Sequence, residues 1–99
     1  MSIYKLWQGR FTEAWYRLPQ DEQERLMGEV MRALDQVAGK AVVTCLSAWS
    51  NERWQGFGVE QFPDVEAVQR HEQILMDLAW ARYFESQSIL GTEFIAPQA

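Results

Sequence analysis

Residues 54–85, WQGFGVEQFPDVEAVQRHEQILMDLAWARYFE, read as a strand, a sharp corner at Phe62-Pro63-Asp64 and then an amphipathic helix. In the strand half, Trp54, Gly56, Gly58 and Glu60 share one parity, and Gln55, Phe57, Val59 and Gln61 the other. Two glycines on one face leave shallow space above the sheet, which suits a bulge, close packing or a ligand. Pro63 ends the ladder because it lacks an N–H and restricts the residue before it. Asp64 then stands as the N-cap, and Glu66 in the first turn favours the helix dipole.

Within the helix, Ala67, Val68, His71, Ile74, Leu75, Leu78 and Ala81 recur at the three-and-four spacing of one face. Gln69, Arg70, Gln73 and Asp77 take the outer surface. The pattern predicts a helix whose far end gathers Trp80, Tyr83 and Phe84. His71, the only histidine, falls on the apolar stripe. It is either a core residue with its ring nitrogens satisfied by backbone or water, or a pocket-lining acid, base or hydrogen-bond donor.

Working outward, Ile3 to Arg10 suits a first strand with apolar bulk on both parities. Thr12 is placed to cap one turn holding Trp15 and Tyr16, and Pro19 to open a longer helix at its first position. Asp21, Glu22 and Glu24 fill that helix's start, Leu26, Met27, Val30, Leu34 and Val37 make its stripe, and Gly39 stops it. Gly28, inside the helix, either allows close approach to the sheet or has no packing role. Lys40–Ser50 is apolar on both parities, the pattern of a strand buried on both sides. Ser50–Arg53 connects it to the Trp54 strand with a short hairpin loop. After Ser86-Gln87-Ser88 a last strand is expected over Ile89–Ile95, with Pro97 and the residues beyond it as a frayed tail.

The 99 residues make one domain, 1–99, with 47% hydrophobic residues and five tryptophans, hence a folded chain. A net charge of −5 disfavours nucleic acid or an anionic membrane as partner. The single cysteine, Cys45, forms no intrachain disulfide, and neither a membrane span nor a signal peptide is legible. A cytoplasmic location is the default expectation.

The order strand, helix, strand, strand, helix, strand predicts a ferredoxin-like α+β fold, a four-stranded antiparallel sheet with two helices on one face. Two helices cover one sheet face, yet every strand offers apolar residues to both. A homodimer packing its open sheet faces together answers that mismatch.

In this order of elements, in the F-P-D-V-E-A corner at Phe62–Ala67, in Trp15 before the first long helix and in Trp80, Tyr83 and Phe84, the chain resembles the dimeric α+β barrel superfamily. It is most similar to uncharacterised small members. The superfamily includes cofactor-independent antibiotic-biosynthesis monooxygenases, heme-degrading monooxygenases, muconolactone-isomerase-like enzymes and proteins with no known activity. The resemblance implies a pocket between sheet and helices. The corner motif brings no catalytic residue with it, and the asparagine–tryptophan–histidine set of the heme-degrading branch is not recognisable, as Asn51 lies in a loop.

One histidine and one cysteine in different elements supply no closed zinc site, and no phosphate-binding glycine motif is present. Neither metal nor cofactor is expected. Cys45 reads as a small buried hydrophobe or, with His71, as a nucleophile pair. Glu60 and Glu93 are either exposed carboxylates or face the sheet interior. Tyr4, Trp49, Trp54, Trp80 and Tyr83 form a candidate ligand-binding lining around a candidate catalytic His71. That lining suits a small aromatic or polyketide-like molecule. Three readings follow: a cofactor-independent monooxygenase or isomerase, a binder without turnover, or a dimeric scaffold with a closed core.

Overall fold

Strand β1 (Ile3–Phe11) lies between two neighbours in the computed structural model, which describes residues 1–97. It pairs antiparallel with β3 (Gly56–Phe62) on one side and β4 (Phe84–Gly91) on the other. β2 (Lys40–Leu46) adds to the far side of β3, giving the order β2-β3-β1-β4. The helical segments are α1 (Glu13–Tyr16), α2 (Gln20–Gln36), α3 (Val65–Asp77) and a 3₁₀ turn at Trp80–Arg82. This is the ferredoxin-like α+β fold the element order predicts. The expected frayed tail falls partly on Gln98 and Ala99, which lie outside the described residues.

α3 begins as its sequence dictates. Asp64 accepts the Ala67 N–H at 2.7 Å, satisfying one of the orphan donors of the first turn. Its stripe then buries Ala67, Val68 and His71. With Val37 and Phe62 the first two form a core, flanked by Ile3, Leu34 and Ile74.

Helix ends account for several departures from expectation. Pro19 is the extended N-cap of α2 rather than its first helical residue. α2 stops at Gln36, with Val37 as C-cap, and the left-handed position after it belongs to Ala38, φ 59°, rather than to Gly39. The Ala38 N–H bonds the Asp35 carbonyl and the Gly39 N–H the Leu34 carbonyl, the double closure of a Schellman motif. α3 stops at Asp77, not among the aromatics, because Ala79 also turns left-handed, φ 55°. Trp80 therefore sits in the 3₁₀ turn, Tyr83 caps it and Phe84 opens the last strand.

That strand lies at Phe84–Gly91, not Ile89–Ile95, since β1 supplies partners only from Phe11 opposite Phe84 to Tyr4 opposite Gly91. β2 is likewise not buried on both sides. It is an edge strand, exposed along its length except at Cys45, with a bulge between Ala41 and Val43. The β2–β3 connection is longer than expected. It contains Trp54, whose N–H, like that of Arg53, donates to Asn51 Oδ1.

Candidate functional site

The helix-bearing face of the sheet holds two apolar zones with a polar row between them. The upper zone is aromatic. Trp7, Phe11, Trp15, Trp80 and Phe84 pack ring against ring, with Phe11 stacked on Trp15 at 4.6 Å and Trp80 on Phe84 at 5.4 Å. The glycines beneath these rings explain the shallow space read from sequence. A Cβ on Gly9 would collide with the Phe84 ring. A Cβ on Gly58 would lie 2.6 Å from the Val43 carbonyl oxygen and 2.9 Å from Trp7 Nε1. Trp7 fills the space above the glycines, so packing is the reading that holds there.

The lower zone is the Val37–Phe62–Ala67–Val68 core. Between the zones, Lys5 and Glu60 stand directly opposite each other on β1 and β3. Lys5 is 9% exposed and its Nζ donates to Glu72 Oε1 on α3 at 2.8 Å. His71, adjacent to Glu72 and 3% exposed, packs its ring 5.4 Å from that of Phe62. Its Nδ1 is buried without a hydrogen-bond partner. Burial, with Lys5 adding, lowers the imidazole pKa to about 4, against the opposing pull of Glu72. Burial also raises the Glu60 carboxyl above its ordinary range, with Glu72 reinforcing and Lys5 opposing. Lys5 is buried while the Glu72 carboxylate it meets is half exposed, and a buried lysine beside a buried neutral imidazole is the kind of costly arrangement that concentrates at working sites.

His71 is thus where the stripe placed it, but the candidate ligand lining does not converge on it. Tyr4 lies on the opposite face of the sheet, in a groove described below. Trp49 is 87% exposed in the β2–β3 loop, donating through Nε1 to the Leu46 carbonyl. Trp54 is buried in the same loop, with the Arg53 guanidinium 4.7 Å above its ring. Trp80 belongs to the aromatic zone. Tyr83 faces a hollow of about 230 Å³ between α2 and the end of α3, beside Glu22, Arg25 and Asp77. Cys45 and His71 do not pair: Cys45 stands opposite Phe57 in the β2–β3 ladder, on the side of the sheet away from α3. Among the described residues, no group of three or more His, Cys, Asp or Glu is placed to hold a metal ion.

Sequence reading missed Lys5, Glu72 and Trp7. The available signal was a lone lysine on the parity shared by Ile3 and Trp7, with Glu60 on a strand due to pair with it.

The other face of the sheet carries no helix. Tyr4, Leu6, Val43, Phe57, Val59 and Ile89 share it, with Leu6, Val43, Phe57 and Ile89 exposed. A groove of about 440 Å³ runs along it, lined by Tyr4, Leu6, Val59 and Ile89, with Thr92 and Glu93 at its end. Contiguous apolar patches of this kind are uncommon on single soluble chains.

A family model described as "Family of unknown function (DUF6616)" matches residues 3–99. No curated protein matches the sequence. Among solved structures, chlorite dismutase from Candidatus Nitrospira defluvii in complex with imidazole superposes with a TM-score of 0.78 at 12% identity, covering 97% of this chain and 41% of that one. A doubly substituted variant of the same enzyme gives 0.76 at 15% identity, covering 97% and 41%. Another chlorite dismutase-like protein gives 0.70 at 18% identity, covering 92% and 44%. The chain spans about two fifths of the length of these structures, and at this identity the likeness is one of fold.

Proposed function

The chain belongs to the family of unknown function DUF6616, and from its own geometry we propose that it works as a homodimer whose sheets pack face to face and hold a small apolar, largely planar molecule between them. The observation that carries this reading is the uncovered apolar sheet face with its groove of about 440 Å³. The groove has an apolar body at Tyr4, Leu6, Val59 and Ile89 and a polar end at Thr92 and Glu93. It suits a ligand with an aromatic or polyketide-like body and one hydrogen-bond donor. A second copy would close the open side, which a single chain leaves to water.

Light scattering across a dilution series tests the assembly, with twice the chain mass expected. Titration with an anilinonaphthalene sulfonate probe tests the groove, with one saturable class of site expected. Val59→Trp, which fills the groove, should abolish probe binding while leaving the helices folded. A chain that stays monomeric and binds no probe overturns the reading.

A second reading rests on the orphaned Nδ1 of His71, near Lys5 and Glu72. It assigns His71 to acid–base chemistry of the cofactor-independent monooxygenase or isomerase type, reached by local opening of α3. Against it stands the burial of the imidazole on the face opposite the groove. A His71→Gln protein that loses turnover of an aromatic substrate but keeps probe binding would favour this second reading over the first.

A further inference from the structure

Gly91 differs from the other glycines of the sheet. A Cβ on Gly9 would collide with the Phe84 ring, and one on Gly56 or Gly58 would come within 3.1 Å or 2.6 Å of a β2 carbonyl oxygen. A Cβ on Gly91 would meet nothing within 4 Å, and its φ is not left-handed. Neither packing nor backbone conformation within the chain therefore asks for glycine there. Gly91 stands opposite Tyr4 on the open face and lines the groove with it. What its missing side chain does is keep that part of the groove empty. A glycine weakens a strand, and one way it recurs is where a ligand approaches the backbone closely.

The same groove carries an unbalanced charge. Of its lining residues only Glu93 is charged, and among the described residues Glu93 forms no ion pair within its own chain. The basic groups of this face lie elsewhere. Arg10 meets Glu85 at 3.9 Å toward the other end of the sheet, and Lys40 stands on β2, separated from Tyr4 by β3. A lone carboxylate at the end of an apolar groove favours a positive charge over a neutral or negative one. The Tyr4 ring acts in the same sense through its quadrupole. The chain's net charge of −5 draws cations toward the surface as a whole.

We propose that the groove selects a planar aromatic cation, an N-alkylated heteroaromatic or a planar amine protonated at neutral pH, with its ring over Gly91 beside Tyr4 and its positive charge at Glu93. The proposal rests on the groove reading above and deepens it by fixing the sign of the ligand's charge. Gly91 supplies the space and Glu93 the preference, so each can be removed without the other.

Equilibrium dialysis of the full chain at neutral pH with N-methylquinolinium, quinoline and naphthoate tests this, because the three share a ring size and differ in charge. At low salt the cation should bind about tenfold tighter than quinoline, the combined scale of a partly exposed ion pair and a cation–π contact, and naphthoate weakest. Added salt should narrow that gap. Glu93→Gln should bring N-methylquinolinium to the level of quinoline and leave quinoline unchanged. Gly91→Leu, which fills the groove without a clash, should lose both ligands while circular dichroism stays native. Equal binding of cation and quinoline to the native chain, or a cation preference that survives Glu93→Gln, would overturn the proposal. Cation binding that survives Gly91→Leu would overturn it too, by placing the cation on the acidic surface at large. If the anilinonaphthalene sulfonate probe binds and none of the three ligands does, the groove reading stands and the cation proposal falls. If the probe also fails to bind, both fall.

Discussion

His71 holds an imidazole where charge is expensive. In the unfolded chain it takes a proton near pH 6.5, and in the folded chain only near pH 4. Above pH 6.5 both states are neutral there and the residue adds no pH dependence. As the pH falls from 6.5 to 4 the unfolded state gains a proton that the folded state refuses, so stability falls with it. The full shift is worth on the order of 3 kcal/mol. The charged groups acting on the ring are Lys5 and Glu72. The raised Glu60 works in the opposite sense, since the folded state keeps its proton longer as pH rises past the ordinary carboxylate value. Urea midpoints measured from pH 7 to 4.5 should therefore drop in the native sequence and drop much less in His71→Leu. Equal slopes would mean the imidazole is not the group responsible. The stripe made the burial of His71 legible. The Lys5–Glu72 ion pair beside it was not, because that depends on how α3 packs on a strand far away in sequence. Gly28 gives a simpler case. A Cβ there would meet only the Arg32 guanidinium, at 3.4 Å, so the glycine serves no close approach to the sheet. Gly28→Ala should stabilise α2 by about 1 kcal/mol, read as a higher thermal midpoint.

At the scale of elements, the start of α3 was legible and its end was not. Pro63 and Asp64 act through covalent geometry and one short hydrogen bond, both local. Asp64→Ala should cost about 1 kcal/mol in a denaturation curve through loss of the 2.7 Å bond to Ala67. A midpoint that does not move would show that Pro63 alone positions the helix. The far end hid because the apolar spacing runs on through Leu78 and Ala81, and the left-handed stop falls on alanine rather than glycine. The cause is tertiary. Trp80 stacks on Phe84, which pairs through the backbone with Phe11, and these contacts draw the chain out of the helix. The placement of β4 follows, since a strand begins where it finds a partner rather than where its propensity is highest.

For the whole molecule, the fold could be read because six periodic segments in that order admit few topologies. The position of β2 at the edge could not, because its sequence reads as if buried on both sides while its own chain covers neither. Leu6→Glu, a charge set in the middle of the open face, should convert the proposed dimer to a folded monomer in light scattering, with helix content by circular dichroism unchanged. A variant that remains dimeric would move the interface away from the sheet. The site was legible only in part. Single residues such as His71 can be placed on a face by periodicity, but no pattern in one strand tells which aromatics from other elements will share its space.

The upper aromatic zone also gives the protein an optical signature. Trp15 and Trp80 meet edge to face, their ring centroids 5.9 Å apart and their planes at 88°. Indoles this close and this sharply inclined share their electronic excitations, so the pair should rotate polarised light as a coupled chromophore rather than as two separate ones. Trp80 rides on a single 3₁₀ turn that is held at its base by the Thr12 N–H bonded to the Tyr83 carbonyl at 3.0 Å and by the Thr12 hydroxyl bonded to the Arg82 carbonyl at 2.7 Å. Any event that lifts that turn would extinguish the coupled band while the peptide signal of the helices stayed constant, so local loosening of this corner can be timed by light, without a label.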